Sequence, residues 1–155
     1  EDYAIFASIC ENLSRQKGFE LAGSSPLIQE VLSTPPNQHL EARLFVAQYK
    51  GKIVGGLTVL RCGQGLHYIW GATDRQYSKQ QVGKAIQWKV MQWAALNGIT
   101  RYDLEGIDPD VNPGVARFKR EMGGREVWLY KSHAKPLNLR GKFLLLAGKV
   151  SGRLS

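Results

Sequence analysis

Cysteine, histidine and long apolar runs are scarce in this chain of 155 residues, and each scarcity excludes a class of protein. Only Cys10 and Cys62 occur, without the spacing of a metal site or a disulfide framework, which favours a reducing compartment. The three histidines, His39, His67 and His133, are scattered, so we expect no metal site. No apolar run reaches the roughly 18 residues that a bilayer span needs.

Acidic residues are outnumbered by basic ones. The 13 Asp and Glu stand against 21 Lys and Arg, and the net charge of +8 favours anionic partners such as nucleic acid, phosphorylated carriers or acidic membranes. A basic surface without a specific partner is the plainer alternative.

The first residues, EDYAIFASIC, lack the positive region of a secretory signal, so we expect a cytoplasmic protein. A chain that begins at Glu1 is expected to be a mature product or an excised domain.

The hydrophobic content of 43% and charged content of 22% predict one globular domain, residues 1–135, followed by a basic amphipathic tail, residues 136–155. Apolar periodicity predicts helices at 2–17, 25–32, 78–97 and 112–122, and strands at 42–49, 53–62, 66–73, 99–104 and 126–130. The short links at 50–52 and 63–65 predict an antiparallel meander. The long helix that follows predicts that strand 99–104 returns parallel to strand 66–73.

Several local features of this pattern are expectations for the structure. Ser78 is expected to cap the long helix and Gly98 to end it, with an apolar stripe that runs to Leu96. The pair Gly55-Gly56 inside a strand indicates a bulge or a close neighbour. Trp88 falls off the stripe and is either packed on another element or exposed. The tail either docks on anionic lipid or nucleic acid or packs on the core.

An ordered set of motifs runs through the chain. YDLEGIDPDVNPGVARFKREMGGREVWLYK, residues 102–131, reads as strand, Glu105-Gly106 turn, helix with Phe118-Lys119, Gly123-Gly124, and strand. Before it stand AQYKGKIVGGLTVL at 47–60 and YIWGATDRQYSKQQVGKAIQWKVMQWAALNGITRYDLEGI at 68–107. This order resembles the C-terminal GNAT-like domain of the FemABX peptidyltransferases over residues 3–131. The resemblance implies an α/β (α+β) GNAT-like acyltransferase fold, with a mixed, mostly antiparallel sheet flanked by helices.

The FemABX resemblance also implies an activity. These enzymes move an aminoacyl group from aminoacyl-tRNA to an amine of a peptidoglycan precursor or related peptide, with the charged tRNA as co-substrate and no other cofactor. Lys119 matches the family's lysine that handles the aminoacyl-tRNA end, and Phe118 would pack against it or against the adenine. Without the resemblance, Lys119 reads as a solvent-facing lysine. The family usually has a second such domain, and this chain has Glu105 where relatives commonly have glycine.

Three carboxylates lie at the end of the fourth predicted strand and in the turn after it. Asp103, Glu105 and Asp108 lie at a strand end and turn, where a general base for the attacking amine can be held. Capping of the turn or pairing with basic neighbours is the alternative for each. We therefore take Glu105 and Asp108 as candidate catalytic residues beside Phe118 and Lys119.

The start of the long helix supports two other interpretations. Gln80-Gln81-Val82-Gly83-Lys84-Ala85 resembles the GNAT phosphate loop, so Gln80, Val82, Gly83, Lys84 and Ala85 are candidate cofactor-binding residues of an N-acyltransferase that uses acetyl-CoA or another acyl-CoA. A third interpretation is a non-catalytic RNA-binding module on which Tyr68, Trp70 and Trp88 stack on bases. The basic tail would allow peripheral attachment at the inner face of the membrane.

Overall fold

The computed structural model describes residues 2–18, 25–37, 39–128 and 135–143. The chain divides into two compact units, Glu1–Ala116 and Arg117–Ser155. The described elements are α1 Asp2–Lys17, α2 Ser25–Ser33, β1 Leu40–Tyr49, β2 Lys52–Cys62, β3 Gly65–Thr73, a 3-10 helix Arg75–Gln80, α3 Val82–Leu96, β4 Arg101–Asp103 and α4 Pro113–Glu121. Among these described helices, none combines the length and apolarity that a membrane crossing requires.

One four-stranded sheet in the order β1-β2-β3-β4 forms the scaffold. The β1–β2 and β2–β3 pairs are antiparallel and the β3–β4 pair is parallel, so the predicted meander and parallel return are both confirmed. Lys50 and Gly51 join β1 to β2 with φ angles of 49° and 76°. Two successive residues with positive φ make a turn whose twist matches that of the flanking strands, which explains the tight link.

Helices α1 and α3 pack on opposite faces of the sheet. A Cβ atom at Gly56 would approach Phe6 of α1, and one at Gly55 would approach Val82 of α3. Consecutive residues of a strand point to opposite faces, so the two helices enclose the sheet. The buried cluster on the α3 side comprises Val54, Leu57, Val59, Leu66, Val82, Ile86, Val90, Ala94 and Ile99. The cluster on the α1 side comprises Phe6, Cys10 and Ala72.

The pair Gly55-Gly56 lies beside both a bulge and a close neighbour, the two explanations that the sequence left open. The β1–β2 register shifts between Ala47 and Gln48, which pair with Gly55 and Ile53. A Cβ atom on Gly56 would lie 2.5 Å from Cδ2 of Phe6, which is fully buried. Glycine at position 56 therefore allows α1 to approach the sheet closely.

The long helix begins later than predicted. Asp74, not Ser78, caps a separate 3-10 helix by accepting a hydrogen bond from the Gln76 N–H, and α3 starts only at Val82. The two helices are separate because Gln81 has a left-handed backbone, with φ 54°. The prediction that Ser78 caps the long helix is therefore wrong.

The end of α3 follows the prediction at Gly98 but not at Leu96. Gly98 has φ 68°, and the Ile99 N–H donates to the Ala94 carbonyl at 3.0 Å, which closes the helix. Leu96 is 87% exposed, because the buried positions recur every four residues from Val82 and reach Ala94 instead. Trp88 is exposed, which decides the alternative that the sequence left open.

The fourth predicted strand is shorter than expected, and the described residues of the fifth do not form a strand. β4 spans only Arg101–Asp103, because the cap of α3 holds the Ile99 N–H. Residues 126–128 are irregular, and residues 129 and 130 lie outside the described part of the chain. The Glu126 carboxylate accepts a 2.6 Å hydrogen bond from Arg120, and Trp128 is exposed, so this segment is not a buried strand. In the tail, residues 139–143 are helical, and residues 144–155 lie outside the description.

Replacement of Gly56 by alanine tests the close approach of α1. We expect Gly56→Ala to lower the free energy of unfolding by about 1 to 3 kcal/mol, because the added methyl group overpacks a fully buried ring. Urea denaturation followed by circular dichroism measures this change. Gly114→Ala is the matched control, since none of the described atoms lies within 4 Å of a Cβ there. Equal unfolding free energies for the Gly56 variant and the unmodified chain would contradict the packing described above.

Candidate active site

The parallel pair β3–β4 ends part of the way along β3. It contains only three registered pairs, Gly65 with Arg101, Leu66 with Tyr102 and His67 with Asp103, whereas β3 continues to Thr73. We call the space beside residues 68–73 of β3, past the end of β4, the strand fork. The edge of β3 presents backbone N–H and C=O groups there that β4 does not bind.

A histidine and a glutamate lie at the vertex of the strand fork. His67 Nδ1 lies 2.8 Å from Glu105 Oε1, and both side chains are partly exposed. Glu105 has a left-handed backbone with φ 63°, and its N–H donates to Asp103 Oδ1 at 2.8 Å. Because a carboxylate accepts the hydrogen bond, Nδ1 of the neutral imidazole carries the hydrogen and Nε2 retains a lone pair. This arrangement can take a proton from a nearby amine.

His67 is the site residue that the sequence did not reveal. Its partner Glu105 is 38 positions away in the chain, and only the register of β3 against β4 brings the two together. The ligand atoms of His67, Asp103 and Glu105 lie within 4.8 Å of one another, so this donor set could also hold a divalent ion. The sequence alone indicated no such cluster, because it contains no local run of metal-binding residues.

The other two carboxylates are engaged in turns. Asp108 Oδ1 accepts hydrogen bonds from the N–H groups of Asp110 at 3.1 Å and Val111 at 3.0 Å. Asp103 accepts the hydrogen bond from the Glu105 backbone. Of the three predicted carboxylates, Glu105 is therefore the one whose side chain contacts another titratable side chain, and Asp108 fits the capping alternative.

Two half-buried tyrosines, Tyr68 and Tyr102, pack against the core beside the vertex. The Tyr102 hydroxyl donates to Gln87 Oε1 at 2.8 Å, which links β4 to α3. Burial and the neighbouring Tyr68 raise the pKa of Tyr102 above its ordinary value. Burial, with a smaller contribution from the charge of Cys10, raises the pKa of Tyr68 to about 12. Both phenols therefore stay neutral and serve as packing groups. Trp70 also packs, against the Phe6 cluster.

The start of α3 has the features expected of an anion-binding turn. Gln81 precedes the helix without a side-chain cap, while Gln80 ends the 3-10 helix. The first backbone N–H groups of a helix, here those of Val82, Gly83 and Lys84, have no acceptor within the helix. Val82 is buried, Gly83 is half-buried, and Lys84 and Ala85 are exposed. Gly83 and the exposed turn around it could receive a phosphate group.

Lys119 is a buried cation on a helix whose other cations are exposed. Its exposed fraction is 8%, and the neighbouring Phe118 is half-buried. Arg117 pairs with Glu121 at 3.0 Å on the exposed side. Arg120 pairs with Glu126, whose hydrogen bond and charge raise the pKa of Arg120. Lys119 is therefore not the solvent-facing lysine of the alternative interpretation.

Comparison with known proteins identifies relatives of two kinds. The chain is 30% identical over 76 residues to the aminoacyltransferase FemA of Staphylococcus epidermidis, which is 46% of this chain and 18% of that protein. The chain thus spans under a fifth of the length of this curated relative. The similarity confirms the resemblance to FemABX proteins.

Solved structures share the fold. An aminoglycoside acetyltransferase from an uncultured soil metagenomic sample, in complex with sisomicin, has a TM-score of 0.58 at 22% identity and covers 86% of this chain and 89% of its own. The ribosomal-protein-alanine N-acetyltransferase of Brucella melitensis biovar Abortus has a TM-score of 0.60 at 12% identity, with 86% and 92% covered. These likenesses confirm the predicted acyltransferase fold.

A family model decides the membership of the chain. The model described as "Acetyltransferase (GNAT) domain" matches residues 11–120, which include β1 to β4, the strand fork and most of α4. The chain belongs to the GNAT acetyltransferase domain family.

Proposed function

We propose that this chain transfers an aminoacyl group from aminoacyl-tRNA to an amine of a peptidoglycan precursor or related peptide. Membership of the GNAT family supports acyl transfer as the class of reaction. The similarity to FemA and the net charge of +8 support a charged tRNA as the donor. The observation that carries the choice of donor is the burial of Lys119 beside Phe118.

Lys119 lies one helical turn from the buried Ala116, on the inner side of α4, whereas the neighbouring cations Arg117 and Arg120 lie on the exposed side. A lysine withdrawn from water interacts strongly with a phosphate or carboxylate oxygen, because water screens its charge less there. We assign to Lys119 the recognition of the anionic end of the tRNA donor, and to Phe118 an apolar contact with that end.

The chemistry itself is assigned to the strand fork. The acceptor amine reacts in its neutral form, and its nitrogen attacks the ester carbonyl carbon while N–H groups on the edge of β3 stabilise the oxyanion. Nε2 of His67 takes the N–H proton that the attacking nitrogen loses, while Glu105 orients the imidazole through Nδ1. The amide forms as the ester C–O bond breaks, and His67 passes this proton to the departing ribose oxygen, which leaves as a hydroxyl. The products are an amide and uncharged tRNA, so atoms and charge balance.

FemABX proteins share their acceptor groove between two domains of this type, so we propose a second GNAT-like domain as a partner of this chain. The short match to FemA, 18% of that protein, agrees with a site that needs further chain. The choice of acceptor amine would then depend on that second domain. Transfer assays should therefore be run both with and without an added second domain of this type.

Removal of the Lys119 ammonium tests the proposed donor. We expect Lys119→Met, which keeps the length of the side chain, to reduce transfer from charged tRNA to a peptide amine about 10²-fold, mainly through a higher KM for the tRNA. Transfer of a radiolabelled amino acid measures the rate. Arg117→Met is the control on the exposed side of the same helix and should retain activity within about twofold. Unchanged turnover in Lys119→Met would remove this lysine from the mechanism.

An acyl-CoA donor is the second candidate function, supported by the uncapped start of α3 at Val82 and Gly83. Titration of acetyl-CoA by calorimetry distinguishes an acyl-CoA donor from the aminoacyl-tRNA donor. Micromolar binding that is lost in Gly83→Glu, without transfer from charged tRNA, would favour the acyl-CoA donor and overturn the proposed one. On the proposed function, acetyl-CoA does not bind in this range.

The assigned base gives a separate prediction. We expect His67→Gln to lower kcat by about 10² to 10⁴-fold with little change in KM, because the loss affects proton transfer rather than binding. Added imidazole should restore part of the rate in His67→Gln, an effect that a merely structural role would not produce. Glu105→Gln should lower kcat less, since it orients the base. The control His39→Gln should not respond to imidazole. Equal kcat in His67→Gln and the unmodified protein would contradict this assignment.

A further inference from the structure

Charge is strongly segregated along the chain. Between residues 42 and 102 the sequence has nine Lys and Arg and a single acid, Asp74, while the other 12 of the 13 acids lie outside this range. The nine cations are Arg43, Lys50, Lys52, Arg61, Arg75, Lys79, Lys84, Lys89 and Arg101. This range includes most of the sheet and all of α3, so the net positive charge of the chain is concentrated on them.

Four of these cations meet at one end of the sheet. The rings of Tyr49, at the end of β1, and Tyr77, in the 3-10 helix, pack edge to face with centroids 5.6 Å apart. The Asp74 N–H also donates to the Val54 carbonyl at 2.9 Å, which holds the start of the 3-10 helix against β2. These contacts bring the turn that carries two lysines beside the helix that carries two further cations. The four residues, which we call the hairpin-end surface, are Lys50, Lys52, Arg75 and Lys79.

The hairpin-end surface keeps its positive charge. All four side chains are exposed, and among the ion pairs of the described residues none includes any of the four. Asp74 is the nearest acid in sequence, but its carboxylate accepts hydrogen bonds from the Gln76 N–H at 3.1 Å and the Gln76 side chain at 2.6 Å. Glu41 lies at the other end of β1, where its carboxylate forms an ion pair with Arg43 at 2.6 Å.

We infer that the hairpin-end surface binds the phosphate backbone of an RNA, and this assignment of the tRNA contact rests on the proposed function. Exposed cations on two adjoining turns match the spaced phosphates of a nucleic-acid strand, and their binding releases condensed counterions. Lys50 Nζ lies over the ring of Tyr49, 5.5 Å from its centroid, which holds this cation beside the others. An anionic membrane is the less favoured partner, because a lipid-binding surface presents large apolar side chains that insert between headgroups. Among the exposed large apolar residues of the described chain, Tyr49 alone lies on these two turns.

Salt-dependent binding of uncharged tRNA tests the inference in the full chain. The double variant Lys50→Gln/Lys79→Gln removes two charges from the hairpin-end surface. The matched control, Arg15→Gln/Lys89→Gln, removes two exposed charges elsewhere, on α1 and α3. Fluorescence anisotropy across a range of KCl concentrations gives the Kd and the slope of log Kd against log salt. We expect the first variant to weaken binding at least tenfold and to reduce the slope by about 2, at about 0.9 per phosphate contact.

The control variant should change the Kd by less than about threefold. Equal losses in the two variants would mean that net charge, not this surface, attracts RNA, and would overturn the inference. An unchanged Kd in the hairpin-end variant would overturn it as well. If that variant instead loses binding to phosphatidylserine vesicles or acetyl-CoA while tRNA binding persists, the surface recognises lipid or coenzyme phosphates and the inference fails.

The same measurements separate this inference from the proposed function. If uncharged tRNA binds at the hairpin-end surface but no acyl group is transferred, the assignment of this surface is supported and the aminoacyl-tRNA-dependent reaction is contradicted. If acyl transfer from charged tRNA occurs and the hairpin-end variant leaves its KM unchanged, the reaction is supported and the assignment of this surface to RNA is contradicted.

Discussion

The structure depends most on a short parallel ladder of three residue pairs, in which His67 and Asp103 form the last pair. Leu66, inside the ladder, is fully buried, and Tyr102 opposite it bonds to Gln87 of α3. The helix cap at Gly98 sets where β4 can begin, because it holds the Ile99 N–H before the strand starts. The position of the strand fork, and with it the contact between His67 and Glu105, follows from these constraints.

Much of this scaffold could be predicted from the sequence, because its signals are local. Short polar links indicated the meander, and a long helix between two strands indicated a parallel return. Gly55-Gly56 indicated a bulge or a close neighbour, and the structure contains both, with Phe6 of α1 as the neighbour. The helix predicted at 112–122 is present as α4, which begins at Pro113, a residue that suits the first position of a helix.

The remaining features depend on contacts between distant residues or on backbone geometry that residue type does not indicate. His67 appeared isolated because Glu105 is 38 residues away and approaches it only through strand register. Gln81 adopts a positive φ, which glutamine rarely does, so the break before α3 carried no sequence signal. Lys119 lies next to Phe118 in an amphipathic pattern, and only the three-dimensional structure shows that it is buried. Glu126 pairs with Arg120 in a segment that apolar composition alone indicated as a strand.

A shared fold does not identify the substrate of an enzyme. Solved acetyltransferases at 12% and 22% identity share the architecture, but one fold can serve many substrates. The proposed choice of donor therefore rests on residues placed on the shared scaffold, namely the buried Lys119, the uncapped start of α3 and the cations of the hairpin-end surface. In this account the sheet supplies the strand fork for acyl transfer, while exposed positive charge attracts the polyanionic donor.

The central claim is that the strand fork receives the acyl group. The most direct test is a titration of the ¹⁵N-labelled protein with an RNA minihelix that carries an amide-linked, non-hydrolysable amino acid, followed by nuclear magnetic resonance. The account predicts that the largest differences from the same minihelix without the amino acid occur at the backbone amides of residues 68–73 and at the His67 imidazole. Differences confined to other parts of the chain, with residues 68–73 unchanged, would contradict the claim.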